Sequence, residues 1–155
     1  MPDDAEAYEI WREAGGRPTP WPRDDAGVET LAALNQVLAP YGLFADLKAY
    51  AAAKRYEVEI GGVVVGGLAV RTDRETRSAL IEAKAATDAD PAWTTAWKLG
   101  NGQWVDIGAA QLGAIIPAVA AHRAAAFARE ELVSAEIDAG TITTRSEVDA
   151  AFGVA

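Results

Sequence analysis

Residues 61–83 read GGVVVGGLAVRTDRETRSALIEA. The first half places β-branched and other apolar residues on either side of Gly66-Gly67, which is a hairpin signal: a glycine pair supplies the positive φ that a tight turn needs. The strands are expected at about residues 62–65 and 68–71. The second half changes period. Ala79, Leu80, Ala83 and Thr87 recur at helical spacing, and Asp90-Pro91 ends the run. One short hairpin followed directly by a helix points to an α+β chain and excludes an all-helical one.

The junction holds an Asp, a Glu and three Arg within eleven residues, a composition that also occurs in active sites. Spacing supplies a simpler reading. Thr72 and Glu75 stand three apart, as in a capping box, where the Thr hydroxyl accepts from the Glu N–H and the carboxylate accepts from the Thr N–H. Asp73 adds negative charge to the first turn, where the helix dipole favours it. The same spacing recurs at Thr144 and Glu147. The helix is therefore expected to begin at residue 72 or 73, leaving Arg71, Arg74 and Arg77 as solvated or cross-protomer groups.

Working outward, WTTAWKLGNGQWVDI (93–107) is a second hairpin. Asn101-Gly102 favours a type I′ turn. A two-residue loop sets Leu99 opposite Trp104 and gathers Trp93, Trp97 and Trp104 on one face, whereas a loop one residue longer moves Trp104 to the other side. Those three rings suit stacking on a sugar, and they equally suit covering helices. The chain is 155 residues long and 50% hydrophobic, but much of that is Ala, so large groups are scarce and a core role is favoured.

The remaining segments read as helices. Residues 3–16 pair Tyr8 with Trp11 before Gly15-Gly16, with Asp3 or Asp4 as cap. Residues 24–42 carry a Val28, Leu31, Leu34 and Leu38 stripe with Asp25 as cap. Residues 43–59 place Phe44, Leu47, Ala51 and Arg55 at helical spacing. The longest helix, near the C-terminus, runs from about 108 to 139, with a kink or a late start near Ile116 expected from Pro117. TTRSEVDAAF (143–152) closes the chain. The fold expected is α+β, two short β-hairpins packed with a few helices. Thin helical packing follows from the Ala content.

Charge divides the chain. The net charge is −9, and residues 1–46 carry nine acidic against three basic side chains, a net of −6. This separates an acidic N-terminal extension, residues 1–43, from a domain at 44–155. Within the extension, RPTPWP favours extended backbone. Its Pro18, Pro20 and Trp21, with Tyr8 and Trp11, form a candidate docking strip, and whether the rings anchor to a partner or back onto the domain stays open. So acidic a chain is a poor match for nucleic acid or an anionic membrane. No apolar run reaches the roughly 18 residues that span a bilayer, and the acidic start has no signal-peptide character.

Catalytic signatures are sparse. There is no Cys, and His122 is the only His. Neither a thiolate nor an imidazole cluster is available for a metal, and no calcium-loop, P-loop or dinucleotide pattern occurs. Ser78, Ser134 and Ser146 are the candidate nucleophiles for a pair with His122, but none sits in a G-x-S-x-G elbow. A packed, structural His122 is favoured. No catalytic residue, cofactor or metal is expected.

Two runs carry a family likeness. LKAYAAAKRYEVEIGGVVVGGLAVRTDRETRSALIEA contains Arg55-Tyr56-Glu57, Gly61-Gly62 and Thr72-Asp73-Arg74. WKLGNGQWVDIGAAQLGAIIPAVAAHRAAAFAREELVSAEIDAGTITTRSEVDAAF contains Asn101-Gly102, Trp104-Val105 and the Ala118 to His122 helix segment. With these the chain resembles a family of phage tail-associated domains of unknown function, over residues 44–152. YEIWREAGGRPTP (8–20) is loosely similar to a Tyr-x-x-Trp…Gly-x-x-Pro-x-Pro segment that precedes such domains in tail-fibre and tail-tip genes, while residues 23–43 carry a helix instead of a short Pro-rich linker. The resemblance implies a non-enzymatic tail component of fibre, tip or baseplate periphery. It would reside in the virion tail and, during assembly, the host cytoplasm. Its partners would be other tail proteins and copies of itself, with trimers favoured. The alternatives are an assembly chaperone and a module that binds host glycan through Trp93, Trp97 and Trp104.

Overall fold

Residues 4–17 and 20–153 are described by the structure, a computed structural model. They divide into two units between Ala45 and Asp46. The first holds helices α1 (Asp4–Glu13) and α2 (Leu31–Leu38), the latter followed by a short 3-10 turn, Ala39–Tyr41. The second holds α3 (Leu47–Ile60), strands β1 (Val63–Val65) and β2 (Leu68–Val70), α4 (Arg74–Ala89), strands β3 (Thr95–Lys98) and β4 (Trp104–Ile107), α5 (Ala109–Asp138) and α6 (Arg145–Phe152). The two hairpins are separate antiparallel pairs. The fold is α+β, as expected, with the longest helix near the C-terminus.

In the first unit, Gly15 adopts φ +91° and ends α1. The second helix starts later than the sequence suggests. The Asp24 side chain accepts from the Ala26 and Val28 N–H groups, Gly27 turns at φ +76°, and Arg23 pairs with Glu29 at 2.8 Å. That closed loop consumes residues 23–29, so Thr30 rather than Asp25 caps α2, accepting from Ala33 N–H. Val28 and Leu31 stand exposed, and among the described residues of this unit Ala33 is the buried one.

The second unit has two hydrophobic clusters strung along α5. Leu112, Ile115 and Val119 pack with Val70, Leu80, Ala83 and Ile107, and the partly buried Trp93 and Trp97 join them. Farther along, Val133 packs with Ala51, Ile142 and Val148. Here Tyr50 Oη donates to Asp149 at 2.7 Å and Lys48 pairs with Asp138 at 2.6 Å, tying α3 to both C-terminal helices. Burial raises the Tyr50 pKa, and its bond to Asp149 raises it further.

Helix α5 runs unbroken through Pro117 and starts at Ala109, against the expectation of a late start. Gly113, whose carbonyl the proline ring leaves unpaired, is exposed, as is Pro117. Water can serve that carbonyl, which lowers the cost of an internal proline. Gln111 Oε1 accepts from the Gly108 N–H and fixes the helix start.

The first hairpin has the expected turn at Gly66-Gly67, with Val65 paired to Leu68. The second differs. Lys98 pairs with Trp104 and Trp97 with Val105. Leu99 N–H bonds Gln103 O at 2.8 Å and Gly102 N–H bonds Leu99 O at 2.9 Å. The loop is therefore three residues, Gly100-Asn101-Gly102, with Gly102 alone at positive φ (+86°). Tertiary contact explains the extra residue: the Gly100 N–H donates to Ala69 O of β2 at 2.7 Å. A side chain there would press on that carbonyl and on Arg71.

Candidate functional site

The junction between α3, β1 and α4 builds the most concentrated chemistry in the fold. Arg55 and Glu59 lie one turn apart on α3, so their side chains share a face. Glu59 is only 4% exposed. One of its carboxylate oxygens, Oε2, accepts from Arg55. The other, Oε1, accepts from Arg77 Nη1 of α4 at 2.7 Å and from Arg123 Nε of α5 at 3.0 Å. Arg55 also bonds Glu130 at 2.9 Å and lies over the Phe127 ring, 4.4 Å from its centroid. Burial alone would push the Glu59 carboxyl up, but Arg77, Arg55 and Arg123 outweigh it and hold the pKa below its ordinary value.

Thr72 completes the junction. Its buried hydroxyl donates to Glu59 O at 2.5 Å and accepts from Gly62 N–H at 3.0 Å, while its carbonyl accepts from Arg77. The cap of α4 is therefore Asp73, which accepts from Thr76 N–H at 2.8 Å. This corrects the reading of Thr72 and Glu75 as a capping box: the Thr side chain is drawn inward by two backbone partners. Hydrogen bonding from Thr76 depresses the Asp73 pKa, and Arg71 adds to this against an opposing burial effect. Arg71 pairs with Asp73 at 2.9 Å and Arg77 with Glu59, so neither is merely solvated. The second capping box forms as read: Thr144 accepts from Glu147 N–H, and Glu147 accepts from Thr144 N–H at 2.9 Å. The Thr143 and Thr144 N–H groups hold the Glu147 pKa down.

His122 Nε2 lies 2.8 Å from Val58 O, a packing role between α3 and α5. Ser78 donates to its own helix at Arg74 O. Among the described residues, no group of three or more His, Cys, Asp or Glu is placed to hold a metal ion, and no helix is long and apolar enough to cross a membrane.

The tryptophan platform does not assemble. The three-residue loop turns Trp104 away from Trp93 and Trp97, which pack on the core. Trp104 is 66% exposed, with the Lys98 ammonium 5.9 Å from its ring. An open cleft of about 570 Å³ between α4 and the second hairpin is lined by Arg71, Glu75, Trp97, Lys98 and Asn101.

Four of the five docking residues fall within the described region; Pro18 lies outside it. Tyr8 and Trp11 form a tilted ring pair 5.7 Å apart, both 44% exposed. Gly16 lies against the Trp11 ring, where a Cβ would come within 2.3 Å of a ring carbon. Pro20 is exposed, and Trp21, also exposed, directs its indole N–H to Thr30 O at 3.4 Å.

Residues 43–152 match the model of the family described as "Domain of unknown function (DUF4376)". The chain belongs to that family. No curated protein and no solved structure matches it. The DUF4376 span takes in the Glu59 cluster, both hairpins and all of α3 to α6. The Tyr8, Trp11, Pro20 and Trp21 positions lie before it.

The Glu59 cluster escaped sequence reasoning, although Arg55 and Glu59 at i, i+4 and the His122-Arg123 pair on α5 were visible. Its partners are 18 and 64 residues away, a separation that periodicity does not reach.

Proposed function

We propose that this protein is a non-enzymatic structural component of a phage tail, one that docks to neighbouring tail proteins through its N-terminal unit and self-associates through the DUF4376 domain. The phage context comes from the sequence resemblance. The observation that carries the docking role is the exposure of the N-terminal unit: Ala33 is its one buried described residue, while Tyr8, Trp11, Trp21, Leu31, Val37 and Tyr41 are exposed. A unit of some 45 residues without disulfides has too little core to hide such groups alone, and an apolar surface of this kind is the mark of a protein interface. The saturated Glu59 carboxylate supports the non-catalytic reading. Its oxygens are engaged by three guanidinium groups and it stays ionised, so it is poorly placed to move a proton.

Mass spectrometry of purified virions from cells carrying the full gene and a gene lacking residues 1–45 tests this. The full chain is expected in particles and the truncated chain is expected to be lost from them. Absence of the full chain from mature virions would assign an assembly chaperone instead. Equal incorporation of both forms, with a strictly monomeric purified protein, would sink the proposal. The glycan-binding alternative now rests on Trp104 alone.

A further inference from the structure

Helix α5 is apolar on two sides. One side, with Leu112, Ile115, Val119, Ala126 and Val133, is buried in the fold. The outer side and adjoining flank carry Ala120, Ala124, Ala128 and Phe127, all exposed, with Arg55 of α3 over one face of the Phe127 ring. A helix at a protein surface ordinarily presents charge there, and between Ala118 and Ala128 the one charged residue is Arg123. The same surface continues into an apolar groove of about 190 Å³ between α4 and α5, formed by Leu80, Ile81, Ile116 and Ala120 with Arg77 and Arg123 at its rim. Ile81 stands 70% exposed beside it.

The charges indicate what covers this face. Arg123 lies one turn before Phe127 and Glu131 one turn after, on the same side of the helix. Arg123 is anchored by its Nε on Glu59, and a guanidinium has further N–H donors to offer. Glu131 forms no ion pair among the described residues. When two copies of a helix lie antiparallel about a two-fold axis, residues equally far before and after the central position come level with one another. With Phe127 at the centre, Arg123 of one copy is level with the partner's Glu131, and symmetry repeats the pair. Ala120, Ala124 and Ala128 permit close approach of the backbones. A parallel arrangement, including a three-fold one, would instead bring Glu131 against Glu131 and Arg123 against Arg123.

We propose that α5 pairs with α5 of a second copy, antiparallel about a two-fold axis at Phe127, with the groove beside Ile81 at the edge of the interface. This rests on the self-association reading above and specifies its surface and symmetry.

Light scattering of the full chain is expected to give twice the 16.3 kDa monomer mass. Exposed Glu131→Arg, which sets like charges face to face, is expected to raise the dimer dissociation constant at least tenfold with an unchanged circular dichroism spectrum. The chain has no cysteine, so Phe127→Cys can cross-link only between copies and is expected to do so under mild oxidation. Ala135→Cys is expected not to, because its two copies would lie about 24 Å apart along the helix axes at 1.5 Å per residue. Cross-linking at both positions, or a trimer mass, would overturn the antiparallel pairing while leaving self-association standing. A monomer would overturn both, leaving the N-terminal docking role to the virion experiment.

Discussion

Glu59 and Arg77 lie 18 residues apart in the chain, and Glu59 Oε1 accepts from Arg77 Nη1 at 2.7 Å. With Arg55 and Arg123 on the same carboxylate, three helices close on one buried charge. Replacing Glu59 with Gln leaves Arg77 and Arg123 without their anion, while Arg55 keeps Glu130. Breaking a buried pair from one side costs about 3–5 kcal/mol, so urea denaturation of Glu59→Gln is expected to show a loss of that order. A change under about 1 kcal/mol would mean that water already screens the cluster.

Acid should unfold the protein through the same group. The Glu59 pKa is lowered by folding relative to an ordinary value of 4.5, and those of Asp73 and Glu147 are lowered as well. A depressed carboxylate gives stability that is complete above its unfolded pKa and lost as pH falls through the folded value, because the unfolded chain binds more protons. The melting temperature is therefore expected to be flat near neutrality and to fall below about pH 4.5. Glu59→Gln should flatten that fall. Identical acid profiles for the two proteins would remove Glu59 as its main source.

The two threonines read as equivalent caps should behave differently. Thr72→Val strips a buried hydroxyl with two backbone partners, and an unsatisfied buried group costs about 1–3 kcal/mol. Thr144→Ala removes an exposed cap, worth about 0.5–2 kcal/mol. Glu75→Ala, outside the real cap, should stay within about 0.5 kcal/mol. Thermal melts of the three variants check the order; a Glu75→Ala effect as large as that of Thr72→Val would restore the capping box.

Trp97 and Trp104 sit on opposite faces of one hairpin. Truncating a core aromatic costs about 3–5 kcal/mol when fully buried, and half-buried Trp97→Ala should lose about 2–4 kcal/mol on the same basis. Trp104→Ala should leave stability within about 0.5 kcal/mol. Single-tryptophan variants with iodide quenching should find residue 104 accessible and residue 97 shielded.

In the N-terminal unit, Gly16→Ala forces a Cβ into the Trp11 ring and toward the Trp11 carbonyl. On the proposed docking role, the variant, like Trp11→Ala, is expected to lower incorporation into particles while leaving the main melting transition in place. Full incorporation of both would remove Trp11 from the docking surface.

What the sequence revealed was local. Gly66-Gly67, the Thr144–Glu147 box and the helix stops at Gly15, Asp90-Pro91 and Gly140 depend on neighbours within four residues and are legible, whereas the starts of α2 and α4 are not. The Asn101-Gly102 turn was misread because a bond from Gly100 to Ala69, on another hairpin, decides the loop length. Thr72 was misread for the same reason: Glu59 O and Gly62 N–H compete for its hydroxyl and win. Of the docking residues, Tyr8, Trp11, Pro20 and Trp21 are exposed.

The two hydrophobic clusters share one 30-residue helix, about 45 Å long at 1.5 Å per residue. Neither can loosen without disturbing the rod that both grip, so the halves of the domain are expected to melt together, and amides midway along α5 to exchange slowest. The same rod gives the domain mechanical stiffness: tension applied at one cluster is carried along backbone hydrogen bonds to the other, so the whole domain yields as one block.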